Sequence, residues 1–167
     1  MEYYNEISSG YDELYSQEQR KKLAIVKDNT RIANGTKILD VGCGTGISSD
    51  FNCFVVGIDT SIGLLRLNKG RLKVNGRAEE LPFRSSSFDI VISLTAIHNF
   101  SGVEAALFEI ARVSNKAVIS VLKRAGKFSL IYDMLQRIFE VDMQIDEGLD
   151  VIFFCTKRLC TKSRLAA

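Results

Sequence analysis

Lys37-Ile38-Leu39-Asp40-Val41, followed at once by Gly42-Cys43-Gly44-Thr45-Gly46, is the stretch on which the fold turns. Its first half reads as a buried strand. Its second half sets three glycines at alternate positions, and a glycine loop leaving a strand presents backbone N–H groups to a ligand that must come close. Spacing decides which ligand. A dinucleotide loop needs G-x-G-x-x-G or G-x-G-x-x-A, yet the third position falls on Ile47 counted from Gly42, or on Ser49 counted from Gly44. A phosphate loop ends in Gly-Lys-Ser/Thr, and no lysine stands here. Both nucleotide readings fail.

Downstream, Phe54-Val55-Val56-Gly57-Ile58 is the next strand, which leaves room for only a turn of helix between residues 47 and 52. Asp59 ends that strand. Ser61 caps a helix that turns Ile62, Leu64 and Leu65 to the sheet until Gly70 stops it. Strands follow at 72–74, 88–93 and 117–121, with Ser101 and Glu104 as a capping box before a helix through Arg112. Upstream, Ser16 and Gln19 form a capping-box pattern for a helix to about Asp28 that buries Leu23 and Val26. After a helix over 127–138, residues 139–145 alternate apolar and polar, Asp146-Glu147-Gly148 turns, and 149–155 return. Strands alternating with helices predict an α/β fold, a doubly wound, mostly parallel seven-stranded sheet with a C-terminal antiparallel hairpin.

The 167 residues weigh 18.6 kDa and are 46% apolar and 25% charged, which suits one soluble domain. Folding a chain of this mass buries roughly 70% of its surface, enough for a core without staples. The apolar runs are strand-sized, and the amino terminus shows neither a basic leader nor an apolar h-region, so a cytoplasmic protein is expected. Cysteines at 43, 53, 155 and 160 lack C-x-x-C spacing and meet a single histidine, so reduced structural thiols and no metal are expected. Net charge is only +2, but the cations are segregated: residues 60–78, 110–132 and the tail carry blocks of Lys and Arg. Such blocks suit a polyanionic partner or simply solvated faces.

Asp40-Val41-Gly42-Cys43-Gly44-Thr45-Gly46 strongly resembles motif I of the class I S-adenosylmethionine-dependent methyltransferases. In order, Val56-Gly57-Ile58-Asp59 resembles their second-strand motif, Gly76-Arg77-Ala78-Glu79-Glu80-Leu81-Pro82-Phe83 their adenine-side loop, and Ser87-Phe88-Asp89-Ile90-Val91-Ile92-Ser93 their fourth strand. Glu109-Ile110-Ala111-Arg112-Val113 is similar to the helix before strand five. Together the set resembles the type 11, ubiquinone/menaquinone-methyltransferase-like group over residues 36–122. It implies a lid or cap segment at 1–35, a methyltransferase domain at 36–157 and a basic tail at 158–167. It also implies S-adenosylmethionine as cofactor, with Asp40, Gly42, Cys43, Gly44, Thr45 and Gly46 around the methionine part. Asp59 and Thr60 would take the ribose, Arg77, Ala78 and Glu79 the adenine edge, and Ser93 and Leu94 the floor beneath the sulfonium. Asp59 lies 19 residues after Asp40, where a ribose diol needs its carboxylate. Arg77 stands where the family has Asp or Asn, and arginine cannot accept a hydrogen bond, so Ala78 backbone or Glu79 takes that part. The family's Pro-Gly-Gly before strand five is replaced by Ser114-Asn115-Lys116.

Methyl transfer from a sulfonium needs the donor and nucleophile held close and in line, so a dedicated base is optional. His98 and Asn99 are the candidate catalytic residues, with a structural or cofactor-lining role as the alternative for His98. Tyr11 and Tyr15 are candidates for a lid over the cofactor and for substrate contact, with a plain amphipathic helix face as the alternative. Lys123, Arg124 and Lys127 follow strand five at the same sheet edge and suit phosphates. The expected acceptor is therefore RNA or a ribonucleoprotein, reached through an open mouth, with an activator subunit as a further partner and no membrane. The alternatives are a quinone-like small acceptor and a catalytically silent cofactor-binding subunit.

Overall fold

The structure, a computed structural model, describes residues 8–158, with side chains from residue 16 onward. Helix α1 (Ser8–Asn29) is followed by β1 (Lys37–Val41), a 3-10 turn (Ile47–Ser49), β2 (Phe54–Asp59), α2 (Ile62–Leu67) and β3 (Leu72–Asn75). Then come β4 (Ile90–Ser93), a second 3-10 turn (Ile97–Asn99), α3 (Val103–Val113), β5 (Lys116–Leu122), α4 (Phe128–Ile138), β6 (Phe139–Asp146) and β7 (Asp150–Lys157). The sheet runs β3-β2-β1-β4-β5-β7-β6, parallel through β5, with β7 inserted antiparallel between β5 and β6. This is the predicted seven-stranded architecture with its closing hairpin.

Burial explains the order. β1, β4 and β5 are almost wholly buried and apolar, as central parallel strands covered on both faces must be. Alternate residues face opposite layers. Leu39, Val41, Val91 and Ile119 meet Val103, Leu107 and Ile110 of α3 and Ile131 and Leu135 of α4. On the other face Ile38, Ile92, Val118, Ile152 and Phe154 gather around Val26 of α1. Ser120 and Asp150 share that face by parity, beneath α1.

Three element ends differ from expectation. Helix α1 begins at Ser8, so Ser16 is an interior residue rather than a cap. Helix α2 ends at Leu67, three residues before Gly70, because Asn68 turns out of the helix with ψ 120°. Helix α3 starts after Gly102 with no side-chain cap; the Gly102 N–H donates instead to Glu79 Oε1 at 3.0 Å, so a carboxylate from another loop replaces the Ser101–Glu104 box. Tyr11 and Tyr15 lie in the first turns of α1, where side chains are outside the described residues, as is the tail beyond residue 158 with Cys160. Cys43, Cys53 and Cys155 are free thiols. Among the described residues no helix is long and apolar enough to cross a membrane.

Candidate cofactor and active site

The loop after β1 is built from left-handed backbone. Gly42, Gly44 and Gly46 have φ of 77°, 50° and 88°. Side chains would also collide: a Cβ at Gly42 would lie 2.4 Å from Ala96 Cβ, and one at Gly46 2.5 Å from Asn68 Oδ1. Asn68, buried beneath the loop, donates to Gly44 O at 3.1 Å. Gly42 N and Cys43 N both donate to Ile58 O, at 2.8 and 3.2 Å, which stitches the loop to β2. The loop is thereby fixed before any ligand arrives.

In front of it opens a cleft of about 260 Å³ at the carboxyl ends of β1, β2 and β4. Gly42 and Gly44 line one wall, Asp59 and Thr60 the next, Arg77, Ala78 and Glu79 a third, and Leu94 the floor. Thr95, Ala96, Asn99, Phe100 and Ser101 also line it, and of these the sequence had named only Asn99 as a candidate site residue. Their signal was position alone: they follow the central strand β4.

Asp59 is held but not saturated. Gly44 N donates to its Oδ2 at 2.9 Å and Ser61 N to its Oδ1 at 2.8 Å, while the helix cap falls to Ser61 Oγ. A carboxylate has about four acceptor sites, so two remain for a diol. Glu79 accepts from Gly102 N and pairs with Arg77 at 3.5 Å. Burial pushes its pKa up, but the Gly102 hydrogen bond and the Arg77 charge outweigh this, and it sits below the ordinary carboxylate value. It is an ionised acceptor beside an arginine that is not one.

Asp40 lies behind the loop, fully buried. Burial pushes its pKa up to about 6, against the pull of hydrogen bonds to Oδ2 from Ser49 Oγ at 2.5 Å and Ser48 Oγ at 2.7 Å; the Asp59 charge adds to the rise. Its Oδ1 has no hydrogen-bond partner among the described residues. An orphaned buried carboxylate oxygen is costly and calls for a donor. Asp40 does not itself line the cleft; the acceptors that do, Asp59 and Glu79 beside the glycine-loop backbone, fit the ribose and adenine of S-adenosylmethionine.

The other sequence candidates stand apart from the cleft wall. Cys43 is buried with Sγ towards Asn68 Nδ2, and Thr45 and Gly46 continue the loop away from the opening. Ser93 is fully buried, and its Oγ has no partner among the described residues. His98, half-buried on the 3-10 turn, does not line the cleft. Burial lowers its pKa, the Asp150 charge raises it, and Lys22 and Lys127 lower it; the net is below the ordinary value. Lys123 is paired with Asp146 at 2.8 Å, Arg124 is exposed, and Lys127 donates to Phe100 O at 3.0 Å on the cleft rim.

A strand-loop-strand acid frame of this kind, on a parallel sheet closed by an antiparallel hairpin, is that of the class I S-adenosylmethionine-dependent methyltransferases. The chain belongs to the type 11 methyltransferase domain family, which it matches over residues 39–128. It is 33% identical over 136 residues to an uncharacterized protein of Methanocaldococcus jannaschii, covering 80% of this chain and 53% of that one. It is 32% identical over 134 residues to the demethylmenaquinone methyltransferase of Renibacterium salmoninarum, covering 72% of this chain and 56% of that one. The chain thus spans about half the length of these curated relatives. Among solved structures, a SAM-dependent methyltransferase of Thermotoga maritima superposes with a TM-score of 0.75 at 17% identity, covering 93% of this chain and 98% of that one. A methyltransferase from a Haloferax volcanii complex with the Trm112 methyltransferase activator superposes at 0.76 and 13% identity, with the same coverage.

Proposed function

We propose that the protein methylates RNA or an RNA-bound macromolecule at the mouth of this cleft. In this reading Asp59 and Thr60 take the ribose of the cofactor, Ala78 and Glu79 its adenine, and Asp40 with the Gly42–Gly44 backbone its amino-acid end. The bound cofactor supplies an activated methyl group on a sulfonium. The chain's own part is to hold the acceptor in line, which supplies much of the rate. One observation carries the choice of acceptor: the Lys127 ammonium is tied to the carbonyl of Phe100, a cleft residue, so a cation stands at the rim. Arg124 beside it is exposed and has no ion-pair partner among the described residues. Lys123 contributes less, because Asp146 neutralises it.

A second reading takes a quinol-like acceptor, as the name of the Renibacterium salmoninarum relative suggests. Transfer of tritiated methyl into fractionated cell extract separates the two. Label in RNA or ribonucleoprotein is expected, and label in the organic-soluble pool alone would end the RNA reading. Log affinity for RNA should fall linearly with log salt, and Arg124→Ala with Lys127→Ala should flatten that slope by up to about two contacts' worth.

A further inference from the structure

Lys22, in the middle of α1, is fully buried, which is rare for lysine and costly unless its ammonium is fully paired. Its Nζ lies 2.9 Å from Asp150 Oδ2 and 3.8 Å from Glu147 Oε1, is also paired with Glu18, and donates to Thr95 Oγ1 at 2.7 Å. Thr95 is the residue that leaves β4 into the cleft wall. Its φ is 56°, a left-handed conformation that a β-branched side chain adopts only under constraint. The constraint is on the page: Thr95 N donates to Ser120 Oγ at 2.7 Å, and Thr95 Oγ1 donates to Asp150 Oδ2 at 3.1 Å. Ser120 Oγ in turn donates to Asp150 at 2.9 Å. Four separate parts of the chain therefore converge under one strained turn, and that turn sets Leu94, Thr95 and Ala96 against the glycine loop.

Two polar atoms in this cluster are left unused. Asp150 Oδ1 and His98 Nδ1 are buried and without partners among the described residues. Glu18, Glu147 and Asp150 lie close enough to hold a cation, but the Lys22 ammonium already fills that role. A purely structural contact at this depth would be served as well by apolar side chains.

We propose that Lys22 and Asp150 are positioning residues for methyl transfer, holding Thr95 in its left-handed turn and thereby fixing the segment from Leu94 to His98 against the cofactor cleft. This rests on the methyltransferase activity but not on the identity of the acceptor. Lys22 and Asp150 act on His98 from α1 and β7, and Lys127 from the start of α4. His98 is the chain's only histidine, so a single imidazole resonance reports the turn directly.

The test uses Lys22→Met, Asp150→Asn and the double variant Lys22→Met/Asp150→Leu. A single variant that strands one buried charge can fail to fold; the double variant removes both charges and keeps the volume. In the double variant, S-adenosylhomocysteine affinity by calorimetry should stay within about threefold of the parent. Methyl transfer into cell extract should fall by roughly a hundredfold, since misplacement of about 1 Å has that effect. The His98 titration midpoint should rise in Lys22→Met and fall in Asp150→Asn. A folded double variant that transfers methyl groups like the parent would overturn the proposal. So would loss of cofactor affinity in step with turnover, or a His98 titration indifferent to both charges. If the parent labels no pool at all, the activity reading fails separately, and the His98 titration still decides the coupling.

Discussion

Asp40 is the residue at which the sequence motif and burial meet. Its carboxyl titrates at about 6 in the fold against 3.8 when unperturbed. The folded form therefore binds a proton more tightly than the unfolded chain between those values, and stability falls as pH rises through that window. The gap corresponds to roughly 3 kcal/mol by pH 7. Asp40→Asn keeps an acceptor for Ser48 and Ser49 while removing that penalty. Its thermal midpoint at pH 7 should rise, and the slope of stability between pH 4 and 6 should flatten, by calorimetry. S-Adenosylhomocysteine affinity of the parent should strengthen from pH 5 to 7 as Asp40 ionises against the ligand ammonium, and the variant should be weaker and pH-independent. A parent affinity flat across that range would exclude Asp40 from the amino-acid end.

At the scale of elements, the cleft-lining loop from Arg77 to Phe83 is shaped by a helix it precedes. Arg112 of α3 donates to Phe83 O at 2.7 Å and Leu81 O at 2.9 Å, while Glu109 accepts from Leu81 N at 2.8 Å. The two side chains also pair with each other at 2.6 Å. Arg112→Ala should leave the loop from Arg77 to Phe83 faster in hydrogen exchange and raise the KM for cofactor several-fold, with kcat close to the parent's. Unchanged exchange in that loop would show the clamp to be idle. This element was legible as a pattern, because Glu109 and Arg112 belong to a contiguous motif. The glycine loop and the strand order were legible for the same reason: the apolar period and the glycine spacing are local. What escaped was long-range. Lys22 and Asp150 are separated by most of the chain, and Glu147 sits in an Asp-Glu-Gly turn whose composition promises only solvent. Nothing near either residue marks it as buried. The start of α1 escaped because Ser16 carries a capping-box pattern that the helix runs straight through.

For the whole molecule, the uneven ends of the sheet matter most. The hairpin shields β5, but β3 is a true edge, with Leu72 44% exposed and Phe54 48% and Leu67 42% exposed nearby. Phe54 and Leu72 line a hollow of about 600 Å³ beside the short connection between β1 and β2, separate from the cofactor cleft. An edge with unspent hydrogen-bonding groups and apolar neighbours invites pairing with another chain. The same margin carries Lys69, Arg71 and Lys73, all exposed, and no acid from residue 60 to 78. Two copies brought edge to edge would set like charges within a Debye length, about 8 Å at physiological ionic strength. Light scattering should thus find the protein dispersed at low salt and increasingly associated towards 1 M, where screening shortens to about 3 Å. Leu72→Lys should abolish that association without touching cofactor affinity. On this expectation Lys69, Arg71 and Lys73 beside that edge guard against self-recognition, tuned by the surrounding electrolyte, and leave the edge open to a strand of opposite charge.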